Sequence, residues 1–292
     1  MGDYFFELGD VIVSTFATRL EAAEYLHKSF GRMDYANNGT PIVFLMGNHD
    51  TNPLTSVDAT KNVTQEQFYG LSKARTKRLT QKTNKAYGYI DIDNAKVRLI
   101  YLNTSDIFSA TTGEALVSGR NTMIQQDQIT WISDVALNFE DKSNPSEWSV
   151  IIFTHDSLSQ IAGNLFADML TAFKNGTAAS GSYNITVDNY SYTLTLDCDF
   201  TDQGQCTVIC EVNGHHHKDM IRELGTTGIM QVYIACEGDA SASYDDNGTT
   251  VYYERTLGTT DEHLIDTLVL DKANRKVYFK RFGVGNDREI TY

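Results

Sequence analysis

Proline, cysteine and basic side chains are scarce in this 292-residue chain, and long apolar runs are missing. Three prolines exclude a polyproline or collagen-like molecule. Four cysteines (Cys198, Cys206, Cys210 and Cys236) show no CxxC spacing and are too few for a disulfide framework. They are expected as reduced, mostly buried thiols, and a cytoplasmic setting is favoured. Lys and Arg number 24 against 38 Asp and Glu, a formal charge of −14. Such a chain repels polyanions, so duplex nucleic acid is an unfavourable partner unless bound cations reverse the field. Apolar runs such as IVFLM (42–46) span about five residues, against the roughly 18 that cross a bilayer, so no membrane partner is expected. The opening MGDYFFELGD carries acid where a signal peptide carries base. A GxSxG nucleophile elbow and a GxxxxGK[ST] phosphate loop are also absent.

Enough apolar residue remains, 41%, to exclude disorder, and a chain this long buries about 75% of its unfolded surface. With no Pro- or Ser-rich linker, a single domain over residues 1–292 is expected. YFFEL (4–8), IVFLM (42–46), VRLIYL (97–102) and SVIIF (149–153) read as buried strands. Between them the period becomes helical. Phe16, Leu20, Ala23, Leu26 and Phe30 follow that spacing, with a Thr18/Glu21 capping box before and Gly31 as expected C-cap. Thr64 and Gln67 form a second capping pair. Further stripes run Ile124, Gln128, Trp131, Val135, Phe139 and Ile161, Leu165, Met169, Phe173, the latter closed by Gly176. This alternation implies an α/β fold with a largely parallel sheet. The second half is strand-rich: a surface hairpin over 182–196, then TVICEV (207–212), IMQVYIAC (229–236), and LIDTLVL (264–270) joined to KVYFKRF (276–282) by a DKANR loop.

Chemistry collects at strand ends. YFFEL runs into Gly9-Asp10, IVFLM into Gly47-Asn48-His49-Asp50, SVIIF into Thr154-His155-Asp156, and TVICEV into Asn213-Gly214-His215-His216-His217. In an α/β sheet the C-terminal strand ends are where ligands bind. Five of the seven histidines lie in these loops. Asp carboxylate, Asn amide oxygen and neutral imidazoles form a donor set suited to Mn²⁺, Fe or Zn²⁺.

These motifs, in this order, resemble the calcineurin-like metallophosphoesterases, whose signature is Asp-x-His, then GDxx(D), GNH(D/E), a lone His after a strand, and GHxH. The match runs from Gly9 to His217. The resemblance implies a layered α/β/β/α sandwich of two mixed sheets and a two-metal site. Asp10 would bridge both ions, Asn48, His155 and His215 would complete one, and His217 would bind the other. His49 would face the substrate phosphate, with Asp50 orienting its ring. Two ions make a hydroxide from water near neutral pH and offset charge on the phosphoryl oxygens.

Two departures shape the expectation. The Asp-x-His is missing, so the first strand is expected to be absent and the second ion to keep only Asp10 and His217. Asp3, roughly 20 Å along the strand from Asp10 at ~3.3 Å per residue, cannot substitute. The second Asp of GDxxD is Val13. One firm metal site, a second weak or absent, and reduced activity on a phosphomonoester or phosphodiester follow, with self-association through an unpaired sheet edge. The alternatives are a non-catalytic metal-binding relative or binding module, and a zinc-dependent amide or ester hydrolase in which GNHD has no evident role. Substrate choice falls to the loops at 51–63 and 104–119.

Overall fold

The computed structural model describes residues 4–37, 39–52, 61–73, 81–82, 85–109, 111–118, 121–237, 241–244 and 249–292. Asp3, and parts of the loops assigned to substrate choice (53–60, 110 and 119), lie outside the described residues. The elements are β1 (Phe5–Glu7), α1 (Arg19–Ala36), β2 (Ile42–Phe44), α2 (Gln65–Ser72), β3 (Gln81–Lys82), β4 (Gly88–Ile92), β5 (Val97–Tyr101), α3 (Gln126–Trp131), β6 (Ser149–Thr154), α4 (Leu158–Asn175), β7 (Ala178–Val187), β8 (Tyr190–Asp199), β9 (Thr207–Asn213), β10 (Lys218–Glu223), β11 (Met230–Tyr233), β12 (Ala242–Tyr244), β13 (Thr250–Tyr252), β14 (Leu264–Asp271), β15 (Lys276–Gly283) and β16 (Arg288–Thr291).

The fold is mixed α/β. Nine strands form one sheet in the order β13-β12-β10-β11-β9-β6-β5-β4-β3. Its centre, β5, β6, β9 and β11, is parallel, while β4 runs antiparallel to β3 and β5, and β10 antiparallel to β11 but parallel to β12. The parallel strands are continuous apolar runs because both faces are covered. Ile100, Val150, Ile152 and Val208 meet α3, α4 and the β7–β8 hairpin on one face. Leu99, Tyr101, Ile151 and Phe153 meet residues of the parallel β1–β2 pair and of the antiparallel β14-β15-β16 sheet on the other. The Phe6 and Phe153 rings stack at 3.8 Å across that interface. A third core joins α1 and α2 to β1 and β2 through Leu26, Phe30, Ile42, Phe44 and Phe68.

Both capping boxes form as the sequence indicated, at Thr18/Glu21 and Thr64/Gln67. Gly31, however, does not end α1, which continues to Ala36 with Asn37 as its cap. Met33, one turn beyond Phe30, extends the same buried stripe and outweighs the ~1 kcal/mol cost of an interior glycine. The stripe from Ile124 to Phe139 is not one α-helix either: α3 is six residues and loosens into a π turn over Ile132–Ala136. The hairpin near 182–196 is longer than a surface excursion, for Leu194, Leu196 and Cys198 are buried against α4. Gly176, in the left-handed region at φ 61°, does cap α4.

Candidate metal centre

All four motif loops leave C-terminal strand ends, two from the β1–β2 pair and two from the large sheet. The two sources are tied at the site itself, where His155 Nδ1 meets the Leu8 carbonyl at 2.7 Å. Close approach there requires glycine. A Cβ on Gly9 would stand 2.6 Å from His155 Nδ1, and one on Gly47 would stand 2.3 Å from Asp10 Oδ1. Asp10, His215 and His217 themselves adopt positive φ, at 63°, 60° and 56°. Non-glycine residues in that region cost about 1–3 kcal/mol and collect at functional sites.

Asp10, Asn48, His155 and His215 converge, though the chain separates the first from the last by some two hundred positions. Asn48 Oδ1 lies 2.9 Å from His155 Nε2 and 3.1 Å from His215 Nδ1. His155 Nε2 lies 3.1 Å from His215 Nδ1 and 3.3 Å from Asp10 Oδ2. Ligand atoms about 2.1 Å from one ion, at right angles, stand about 3 Å apart, so these spacings suit a shared cation. Asp10, His155 and His215 can hold a metal ion, their ligand atoms lying within 4.8 Å of one another. His155 and Asn48 are buried.

His49 and Asp50 take different parts. The His49 N–H donates to Asp10 Oδ1 at 2.8 Å, while its ring Nδ1 meets Ser14 Oγ at 2.5 Å. Asp50 accepts the backbone N–H groups of Asp10 and Gly47 on one oxygen and of Ile12 on the other. Asp50 therefore fixes the two loops that carry Asp10 and Asn48, and the ring partner of His49 is Ser14 where the resemblance implied Asp50. Val13, in place of the second signature Asp, is exposed.

His217 stands beside the cluster rather than in it, and the neighbouring Cys236 side chain raises its pKa. His216 Nε2 approaches Asp156 Oδ1 at 3.3 Å without hydrogen-bond geometry. Asp156 also faces His215 Nε2 at 3.9 Å and accepts Thr122 Oγ at 2.6 Å. Ser14, Asp156 and Cys236 are thus neighbours of the site that the sequence reading did not assign. Only Asp156 carried a signal, its place beside His155 at the end of β6.

The electrostatics are those of a site short of positive charge. Burial, then the nearby Asp50, pushes Glu7 up to about 8. Burial, then Asp10, pushes Asp50 up to about 7. Asp10 itself, although burial opposes its ionisation, is held at about 2 by His155. Burial would lower His155, yet the Asp10 carboxylate outweighs it and raises the imidazole to about 9. His215, desolvated, is lowered to about 4 and offers a neutral nitrogen. A divalent ion would replace the His155 proton and relieve the crowded carboxylates.

No protein-family model matches this chain, and no curated protein matches it.

Proposed function

We propose that the chain is a metal-dependent phosphoesterase that hydrolyses a phosphomonoester or phosphodiester with a metal-activated hydroxide. The observation that carries this is the convergence of Asp10, Asn48, His155 and His215 on one point, with the His49 ring on the adjoining turn. Asp10, Asn48, His155 and His215 would hold the firm ion, of Mn²⁺, Fe or Zn²⁺ type, and His217 the weaker one. Such ions lower the pKa of bound water toward 7 and offset charge on phosphoryl oxygens. The chain's own part is to orient. Asp50 pins the two ligand loops, the Leu8 carbonyl sets the His155 ring, and Ser14 holds His49 toward the substrate. The three cores support an α/β/β/α layering of two sheets, as the resemblance to calcineurin-like metallophosphoesterases implies. Among the described residues β1 has a neighbour strand on one side only, which supports self-association through its other edge. No helix among the described residues is long and apolar enough to cross a membrane.

The test is hydrolysis of a phosphomonoester and a phosphodiester with added Mn²⁺. Turnover should fall by roughly 10²–10⁴-fold in His49→Ala, the range for a lost acid–base group, while the bound ion is retained. Metal binding with no turnover above that control would favour the non-catalytic relative instead.

A further inference from the structure

The two imidazoles that converge with Asp10 and Asn48 present opposite nitrogens to the point of convergence. His155 offers Nε2, 2.9 Å from Asn48 Oδ1, while its Nδ1 meets the Leu8 carbonyl at 2.7 Å. His215 offers Nδ1, 3.1 Å from both Asn48 Oδ1 and His155 Nε2. A neutral imidazole carries one proton, and the other nitrogen is the one that coordinates. A main-chain acceptor behind the ring thus sets His155. His215 needs its counterpart behind Nε2, and the group that stands there is the Asp156 carboxylate, with Oδ2 at 3.9 Å. At that distance it acts on the N–H by charge rather than through a formed hydrogen bond.

Asp156 is buried and braced on several sides. Its backbone N–H donates to Thr104 Oγ1 at 3.0 Å, the Thr122 hydroxyl donates to its Oδ2 at 2.6 Å, and the Ser157 N–H donates to its Oδ1 at 2.7 Å. His216 Nε2 stands 3.3 Å from Oδ1. Thr104 and Thr122 come from the two ends of the segment between β5 and α3. Backbone bonds close that segment at its base, from the Met123 N–H to the Thr104 carbonyl at 2.8 Å and from the Asp106 N–H to the Met123 carbonyl at 3.1 Å. Farther out, Ile107, Phe108, Val117 and Met123 form a small core against Tyr190 and Tyr192 of β8. The carboxylate behind His215 is therefore held by an element separate from β6 and β9, whose ends carry the two histidines.

We propose that Asp156 is a positioning residue for the metal centre: its carboxylate, braced by Thr104 and Thr122, keeps the His215 proton on Nε2 and so turns the Nδ1 lone pair toward the cation. This rests on the metal-site reading above and deepens it, because it makes the base of the segment between β5 and α3 part of what orients a ligand. Asp156 itself touches no ion and acts through His215. A carboxylate partner behind a coordinating imidazole is worth about 10–100-fold in metal affinity.

Nitrogen-15 NMR of the full chain, histidine-labelled and metal-free at neutral pH, reads the tautomer directly, with His215→Gln identifying the ring. In the wild type the His215 proton should sit on Nε2. Asp156→Asn, equal in shape but uncharged, should move the population toward Nδ1–H and bind Zn²⁺ about 10–100-fold more weakly in a competition titration. Thr122→Val removes one brace and keeps the carboxylate, so it should retain the Nε2–H tautomer and lose less than about tenfold in Zn²⁺ affinity. A wild-type proton on Nδ1, which needs no variant to fold, would overturn the role of Asp156. So would Asp156→Asn that binds Zn²⁺ as tightly as the wild type, and either result would leave the four-residue metal site standing. A wild type that binds no Zn²⁺ would overturn both. Turnover enters neither measurement, so a failure of the phosphoesterase reading alone would leave this one intact.

Discussion

At the scale of single residues, Asp10, His155 and His215 form a cluster that can hold a metal ion, and a proton on His155 would compete with that ion. His155 is raised to about 9 by Asp10 against the opposing effect of burial, so it is protonated throughout the neutral range. Its Nε2, at the point of convergence, is the atom that would coordinate. Metal and proton therefore compete for one nitrogen. The affinity for the first ion should rise with pH, by up to about tenfold per unit between pH 6 and 8, and flatten above about 9. Calorimetric titration in buffers of different ionisation enthalpy would show close to one proton released per ion at pH 7; affinity independent of pH would contradict the assignment of His155. Asp10, Asn48, His155 and His215 were legible in the sequence because each follows an apolar strand, and strand ends in an α/β sheet share one edge. Ser14 was not, since its contact with His49 joins loops from two strands.

At the scale of elements, the departures from the sequence reading share a cause: a tertiary partner overrode a local signal. The clearest is Arg98, on β5 and 1% exposed. It forms a two-pronged pair with Asp91 at 2.6 and 3.0 Å, and its remaining nitrogen donates to the carbonyls of Val135, Ala136 and Asn138. The guanidinium lies between the Tyr89 and Phe139 rings, 3.7 and 4.3 Å from their centroids. Carbonyls turned toward this cation account for the π turn where 3.6-residue periodicity indicated a continuous helix. Arg98→Met would leave the buried Asp91 carboxylate without its two-pronged partner, with Lys142 still at 2.8 Å. Breaking a buried pair in this way costs about 3–5 kcal/mol, and urea unfolding should show a loss of that order. The double variant Asp91→Asn/Arg98→Met should recover part of it. A single-variant loss below about 1 kcal/mol would mean that the helix end does not depend on this residue. The central strands and α4 were read correctly from sequence because their apolar runs are long and their burial is one-sided or complete. A lone arginine inside such a run gives no sign of where its five donors will go.

At the scale of the whole molecule, the three cores share the large sheet and the β1–β2 pair, and we expect residues 1–292 to unfold as one cooperative domain. A polar network crosses between two of these cores. Asp106 Oδ1 accepts Gln65 Nε2 from α2 at 2.9 Å and Gln125 Nε2 beside α3 at 3.0 Å, while Gln128 of α3 bonds both the N–H and the carbonyl of Asn103. Asp106 is fully buried, its Oδ2 meets no hydrogen-bond partner, and burial, only partly offset by Lys85, pushes it up to about 7. The unfolded chain releases the same proton near 3.9. Between those values the native state binds more protons than the unfolded one, so unfolding free energy falls as pH rises through that window. At about 1.36 kcal/mol per unit, ionising Asp106 costs at most about 4 kcal/mol by pH 8. Asp106→Asn keeps the shape and cannot ionise. In chelator-treated protein its stability should match the wild type within about 1 kcal/mol at pH 4 and exceed it by on the order of 2–4 kcal/mol at pH 8. Glu211, also raised to about 7 by burial, contributes a slope to both proteins, and the difference between the two curves removes it. A pH-independent difference would show that Asp106 is already ionised in the native fold, with the network rather than the proton stabilising it.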